Sequence, residues 1–94
     1  MTSSIRTFAV VFTADWCPYC RRLAPIIEEI AEEQKNTLDI YYLDIDDEPA
    51  IADRYDVMTI PTVYMFVDNK AAGNAVNPGT KEAVHELISS AIGK

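Results

Sequence analysis

Both cysteines of the chain lie in one tetrapeptide, Cys17-Pro18-Tyr19-Cys20, between an apolar run ending at Trp16 and a segment patterned as a helix. Two thiols with two residues between them at a helix start close a small ring. The helix dipole and the unpaired amides of the first turn favour the first sulfur as thiolate. A bond formed there is easily broken again. A permanent staple works by tying distant segments together, and this pair closes almost no loop. The strand-to-helix junction at residue 17 is therefore read as a redox dithiol, and the fold has to present it.

The 94 residues, 49% of them hydrophobic, suffice for one compact domain over 1–94 and not for two. Two cysteines are far below the density of a secreted disulfide scaffold. The first residues, Met1-Thr2-Ser3-Ser4-Ile5-Arg6, lack the basic start and unbroken apolar stretch of a secretion signal. A cytoplasmic location is expected. No apolar run approaches the roughly 20 residues needed to cross a bilayer, so no membrane association is expected. A net charge of −7 with scattered Lys and Arg argues against nucleic acid as a partner. A monomer is the default expectation.

Extended and helical patterns alternate along the chain. Ile5 to Thr13 is β-branched and aromatic with little polarity after Arg6, as in a central strand covered on both faces. Pro18 suits the first turn of a helix, and Leu23, Ile26, Ile27 and Ile30 form its apolar stripe as far as Gln34. Pro25 inside that helix predicts a bend and not an end. A second strand is expected from Leu38 to Asp44. Asp46-Asp47-Glu48-Pro49 then opens a short helix to Tyr55, with the acidic groups read as capping and solvation and not as a calcium loop. Thr62 to Val67 reads as a third strand, Asp68-Asn69-Lys70 as a turn, and Ala71 to Val76 as a weak edge strand carrying Gly73 and Asn74. After Asn77-Pro78-Gly79, Thr80 caps a last helix with the stripe Val84, Leu87, Ile88 and Ala91, ending near Gly93. The order β-α-β-α-β-β-α predicts an α/β domain, a four-stranded mixed sheet with three helices over its two faces.

From Phe8 onward the chain resembles the thioredoxin family. The resemblance rests on Phe12, Ala14, Trp16, Cys17 and Cys20, on Ala24-Pro25, on Leu43-Asp44-Ile45-Asp46 and on Ile60-Pro61-Thr62, in the family's order and spacing. It implies the thioredoxin fold without the N-terminal strand and helix of the full-length form. It also implies thiol-disulfide exchange. Cys17, open to solvent, attacks a substrate disulfide, and Cys20, one helical turn inward, resolves the mixed disulfide. Pro61 is implied to be cis and to face the dithiol, with the Ile60 backbone pairing with an extended substrate. Trp16 becomes a flat wall beside the nucleophile, and Pro18, Tyr19 and Asn77 complete the substrate rim. Arg21 and Arg22 add positive potential near the first thiol.

Several residues depart from that pattern. Pro18-Tyr19 resembles the glutaredoxin dipeptide, where thioredoxins carry Gly-Pro. Val11 occupies the position of the family's buried carboxylate, Tyr42 that of the lysine facing it, and Asn77 that of a glycine before the last helix. The implied function is a reductase of protein disulfides, with no bound cofactor, re-reduced through an NADPH-linked flavoprotein reductase. The enzyme alternative is a glutaredoxin-like reductase recharged by glutathione, and a third reading is a binding module whose dithiol merely persists. Zinc is disfavoured by ligand count, since the only further candidate is His85 in the last helix, read as a surface residue without a partner.

Overall fold

The computed structural model describes residues 7–92. Its elements are β1 (Thr7–Thr13), α1 (Pro18–Glu33), β2 (Asp39–Asp44), α2 (Pro49–Arg54), β3 (Thr62–Val67), β4 (Lys70–Val76) and α3 (Lys81–Ile92). Each element anticipated from the pattern is present. The expected strand start at Ile5 and helix end at Gly93 lie outside the described residues.

The sheet runs β2-β1-β3-β4, with β1 parallel to β2 and antiparallel to β3, and β3 antiparallel to β4. Alternation along β1 sends its side chains to two different layers. Ala9 and Val11 face the aliphatic side, where Leu23, Ile27 and Ile30 of α1 meet Val63 and Met65 of β3 and Val84, Leu87 and Ile88 of α3. Phe8 and Phe12 face the other side. There Phe8 stacks on Phe66 with ring centroids 4.9 Å apart, and Phe12 meets Tyr64 edge-on at 5.7 Å. Tyr55, just after α2, closes this aromatic layer against Tyr64 and Phe66. Coverage on both faces explains why β1 carries so little polarity.

Local chemistry sets the element ends. α1 continues through Pro25 to Glu33, because its stripe keeps burying Ile27 and Ile30 beyond the proline. Lys70 belongs to β4 and not to the turn. Asp68 (φ 53°) and Asn69 (φ 69°) both adopt positive φ, the two-residue geometry that lets Val67 pair directly with Lys70. Thr80 Oγ1 accepts from the Ala83 amide at 3.1 Å, the expected cap of α3. Glu48, by contrast, makes no side-chain cap at α2, so the capping read for the acidic run fails there. His85 is partnered after all. Its Nε2 lies 3.2 Å from Glu33 Oε1, and Lys81 bridges Glu29 and Glu33, so α3 is tied to α1 across 48 to 52 residues of sequence.

Two stability predictions follow from these layers. Met65 is fully buried at the centre of the aliphatic side, so Met65→Ala should destabilise the fold by about 2–5 kcal/mol in urea titrations. The Glu33 carboxyl is held below its ordinary value of 4.5, first by the Lys81 hydrogen bond and then by His85. A depressed folded value gives stability that is present above the unfolded value and lost as pH falls through the folded one. Glu33→Gln should therefore lower the urea midpoint at neutral pH. The gap from wild type should close as pH falls from 4.5 through the lowered value, and it should shrink in about 1 M salt, where screening reaches about 3 Å.

Candidate active site

Cys17 is the N-cap of α1, in extended conformation with φ −92° and ψ 113°. This backbone turns its side chain back over the first helical turn, where its sulfur accepts the Cys20 amide at 3.2 Å. Serine or aspartate oxygen fills that position in ordinary helices. Pro18 at the first helical position needs no amide partner there, and its ring presets the helical φ. Both cysteines are free thiols.

The first thiol is less open than the sequence reading requires. Cys17 is only 3% exposed and Cys20 7%. The reason is the N-cap geometry, which draws the sulfur inward, together with Ile45 and Ile60, which pack against Ala14, Cys17 and Cys20. The surroundings are not purely hydrocarbon. Besides the Cys20 amide, Cys17 Sγ lies 3.9 Å from the Ile60 carbonyl oxygen, towards which its thiol donates. The Ile60-Pro61 bond is cis, as the resemblance implied, so the residues before β3 do face the dithiol.

The rim residues divide into those that gather here and those that stand off. Trp16 is 61% exposed, and its indole Nε1 donates to Asp46 Oδ2 at 2.9 Å. Asp46 is itself placed by a turn in which Asp44 Oδ1 accepts the Asp46 amide at 2.8 Å. The acidic run therefore anchors the tryptophan, a role that composition does not suggest. Tyr19 projects to solvent beneath the Arg22 guanidinium, whose Cζ is 5.3 Å from the ring centroid. Arg21 donates to the Asp15 carbonyl at 3.1 Å. Asn77, at positive φ of 49°, donates its amide to the Pro61 carbonyl at 2.7 Å and so fastens the β4–α3 turn to the cis segment.

Cys20 has a different environment. Burial, then the hydrogen bond with Cys17, pushes its thiol above the ordinary 9.0, while the Thr13 hydroxyl and the Ala14 backbone pull in the opposite direction. Thr13 is a contact that the sequence reading missed. Its only signal was its place at the end of β1, four residues before Cys17. Among the described residues no group of three His, Cys, Asp or Glu side chains could hold a metal ion.

With the dithiol at a strand-to-helix junction and a cis proline opposite, comparison with known proteins decides the family. The thioredoxin family model matches residues 1–90. The chain belongs to the thioredoxin family. A thioredoxin of Staphylococcus aureus is 38% identical over 79 residues, covering 84% of this chain and 76% of that protein. A mutant thioredoxin from Halobacterium salinarum superposes with a TM-score of 0.82 at 30% identity, over 90% of this chain and 74% of the other. The oxidised thioredoxin of Plasmodium falciparum, at 21% identity and a TM-score of 0.79, covers 89% of this chain and 79% of its own and supports the fold. The chain is accordingly a thiol-disulfide oxidoreductase, and members of the family work without a bound cofactor.

Measured against the thioredoxin pattern, the floor of the site is altered. Val11 and Tyr42, at the positions of the family's charged pair, are direct partners in the β1–β2 ladder. Both line a cavity of about 270 Å³ that reaches Cys20. Tyr42 titrates above its ordinary 10.0, through burial and then the Glu28 charge, so at neutral pH the pair carries no charge. The raised Cys20 thiol gives a direct test. In Cys17→Ser, where burial still acts on Cys20, its alkylation by iodoacetamide should be slow at neutral pH and become fast only in the alkaline range. Fast alkylation at neutral pH would contradict the assigned environment.

Proposed function

We propose that the protein is a protein-disulfide reductase in which Cys17 is the nucleophile and Cys20 the resolving thiol. The observation that carries this reading is the Cys20 amide aimed at Cys17 Sγ from 3.2 Å, with Cys20 a single turn further along the same helix. Cys17 sulfur, having lost its proton, attacks one sulfur of a substrate disulfide. A mixed disulfide forms and the other substrate sulfur leaves as thiolate. The helix-start amide faces the negative charge on Cys17 when that sulfur attacks. Cys20 then gives up its proton to solvent and attacks Cys17 Sγ. The substrate leaves with two thiols, and the enzyme retains the Cys17–Cys20 disulfide.

Because Cys17 is 3% exposed, a substrate reaches it by displacing part of its cover, of which Ile45 and Ile60 are the partly buried neighbours. Trp16, Pro18, Tyr19, Ile60, Pro61 and Asn77 then flank the incoming segment, and the Ile60 backbone offers it strand-like pairing. Two electrons from an NADPH-linked flavoprotein reductase return the disulfide to the dithiol. The reading includes a monomer of one domain over residues 1–94, at work in the cytoplasm. No helix among the described residues is long and apolar enough to cross a membrane.

Insulin reduction coupled to NADPH and a thioredoxin reductase tests this proposal. Cys17→Ser should abolish turnover. Cys20→Ser should stop after one attack and accumulate a mixed disulfide through Cys17, visible by mass spectrometry as a substrate adduct removed by dithiothreitol. A biological role left intact when both cysteines are replaced by serine would reduce the chain to a binding module, and efficient recycling by glutathione alone would assign it the other reductant.

A further inference from the structure

The Arg22 guanidinium is laid over Tyr19, and among the described residues no carboxylate pairs with it. In a chain with 15 acidic and 8 basic residues that is an unsatisfied cation next to the dithiol. The neighbouring Arg21 directs an amino group to the Asp15 carbonyl, whereas Lys81 and Lys35 both hold glutamates. The contact with the ring face occupies one side of the guanidinium and leaves donors for a ligand.

Beside it lies a cavity of about 200 Å³ between Tyr19, Arg22 and Ile26 of α1 and the turn at Asn77-Pro78-Gly79. Its far wall is open, since a side-chain carbon built on Gly79 would meet nothing within 4 Å. The cavity borders the surroundings of the dithiol through two of its lining residues, Tyr19 and Asn77. Tyr19 lies between the two cysteines in sequence, and the Asn77 amide is bonded at 2.7 Å to the Pro61 carbonyl, next to the Ile60 carbonyl that Cys17 meets. A segment holding its disulfide at Cys17 therefore carries its flanking side chains over this hollow.

We propose that this cavity is a specificity pocket for an acidic side chain of the substrate, with Arg22 as its carboxylate-binding residue. The inference rests on the reductase reading above. The planar fork of an arginine matches a carboxylate with two parallel hydrogen bonds. The apolar wall of Ile26 and Pro78 takes the methylenes of a glutamate. The pocket also offsets the repulsion that a protein of net charge −7 exerts on acidic substrates.

The test uses disulfide-linked peptides identical except for Glu, Gln or Lys, placed in turn at each position flanking the cysteine, with kcat/KM measured by thioredoxin reductase coupling. At the position that reaches the pocket, wild type should prefer Glu over Gln by about threefold, and Gln over Lys by a similar factor, the scale of an exposed ion pair. Arg22→Glu should reverse the order. Arg22→Lys should keep a weaker preference for Glu, since a lysine offers charge without the fork. The wild-type ratio should approach one in about 1 M salt. Comparing ratios within each variant cancels any general loss of rate. Turnover of all peptides with no ranking at any position, or a ranking unchanged in Arg22→Glu, would overturn the pocket and leave the reductase reading standing. Failure to reduce any peptide would overturn both.

Discussion

One hydrogen bond organises the site: the Cys20 amide, at the start of α1, pointing at the Cys17 sulfur. It needs a strand that ends where a helix begins, a residue between them in extended conformation, and a second cysteine three positions on. Each of those requirements is met by packing elsewhere. β1 is pinned because Val11 and Phe12 are buried on opposite faces, and α1 is pinned because Leu23, Ile27 and Ile30 are buried against the sheet. The first turn of the helix is thus presented at a fixed place by burial several turns away.

The same bond explains the tension in the site between activation and access. An N-capping side chain must fold back over its helix, and a sulfur that does so is covered by it. The cis segment adds to that cover, since Ile60 brings both its side chain and its carbonyl to Cys17. The two thiols consequently differ in kind more than in exposure. Cys17 sits among directed polar groups, while Cys20 is held above its ordinary titration range chiefly by burial.

Much of this was legible in the residues. The period-2 and helical stripes placed every element within a few positions, because the apolar stripes of α1 and α3 and the apolar runs of β1 and β3 fall mainly on buried faces. The resemblance located the cis proline and the two vacated charge positions, and the ladder confirms that Val11 and Tyr42 adjoin. What escaped depends on contacts across long stretches of sequence. Nothing in Asp46 announces a tryptophan 30 residues earlier, and nothing in His85 announces Glu33, 52 residues before it. Those pairs exist only once β1–β2 pairing and α1–α3 packing have brought the segments together. The exposure of Cys17 was misjudged for a related reason: a helix start is solvent-facing in general, but here another segment lies over it.

The residues before Pro61 are fastened to β3 by hydroxyls, Tyr64 Oη donating to the Tyr55 carbonyl at 2.7 Å and Thr62 Oγ1 donating to the Thr59 carbonyl. The sulfur, for its part, hangs from the end of β1, and β1 and β3 are adjacent rungs of one ladder. The two sides of the cleft thus extend from neighbouring strands, whose backbone spacing of about 4.8 Å is set by main-chain hydrogen bonds and not by side chains. Evolution or design can repaint the lips of such a cleft freely, as Tyr19 and Asn77 illustrate, without losing its gauge.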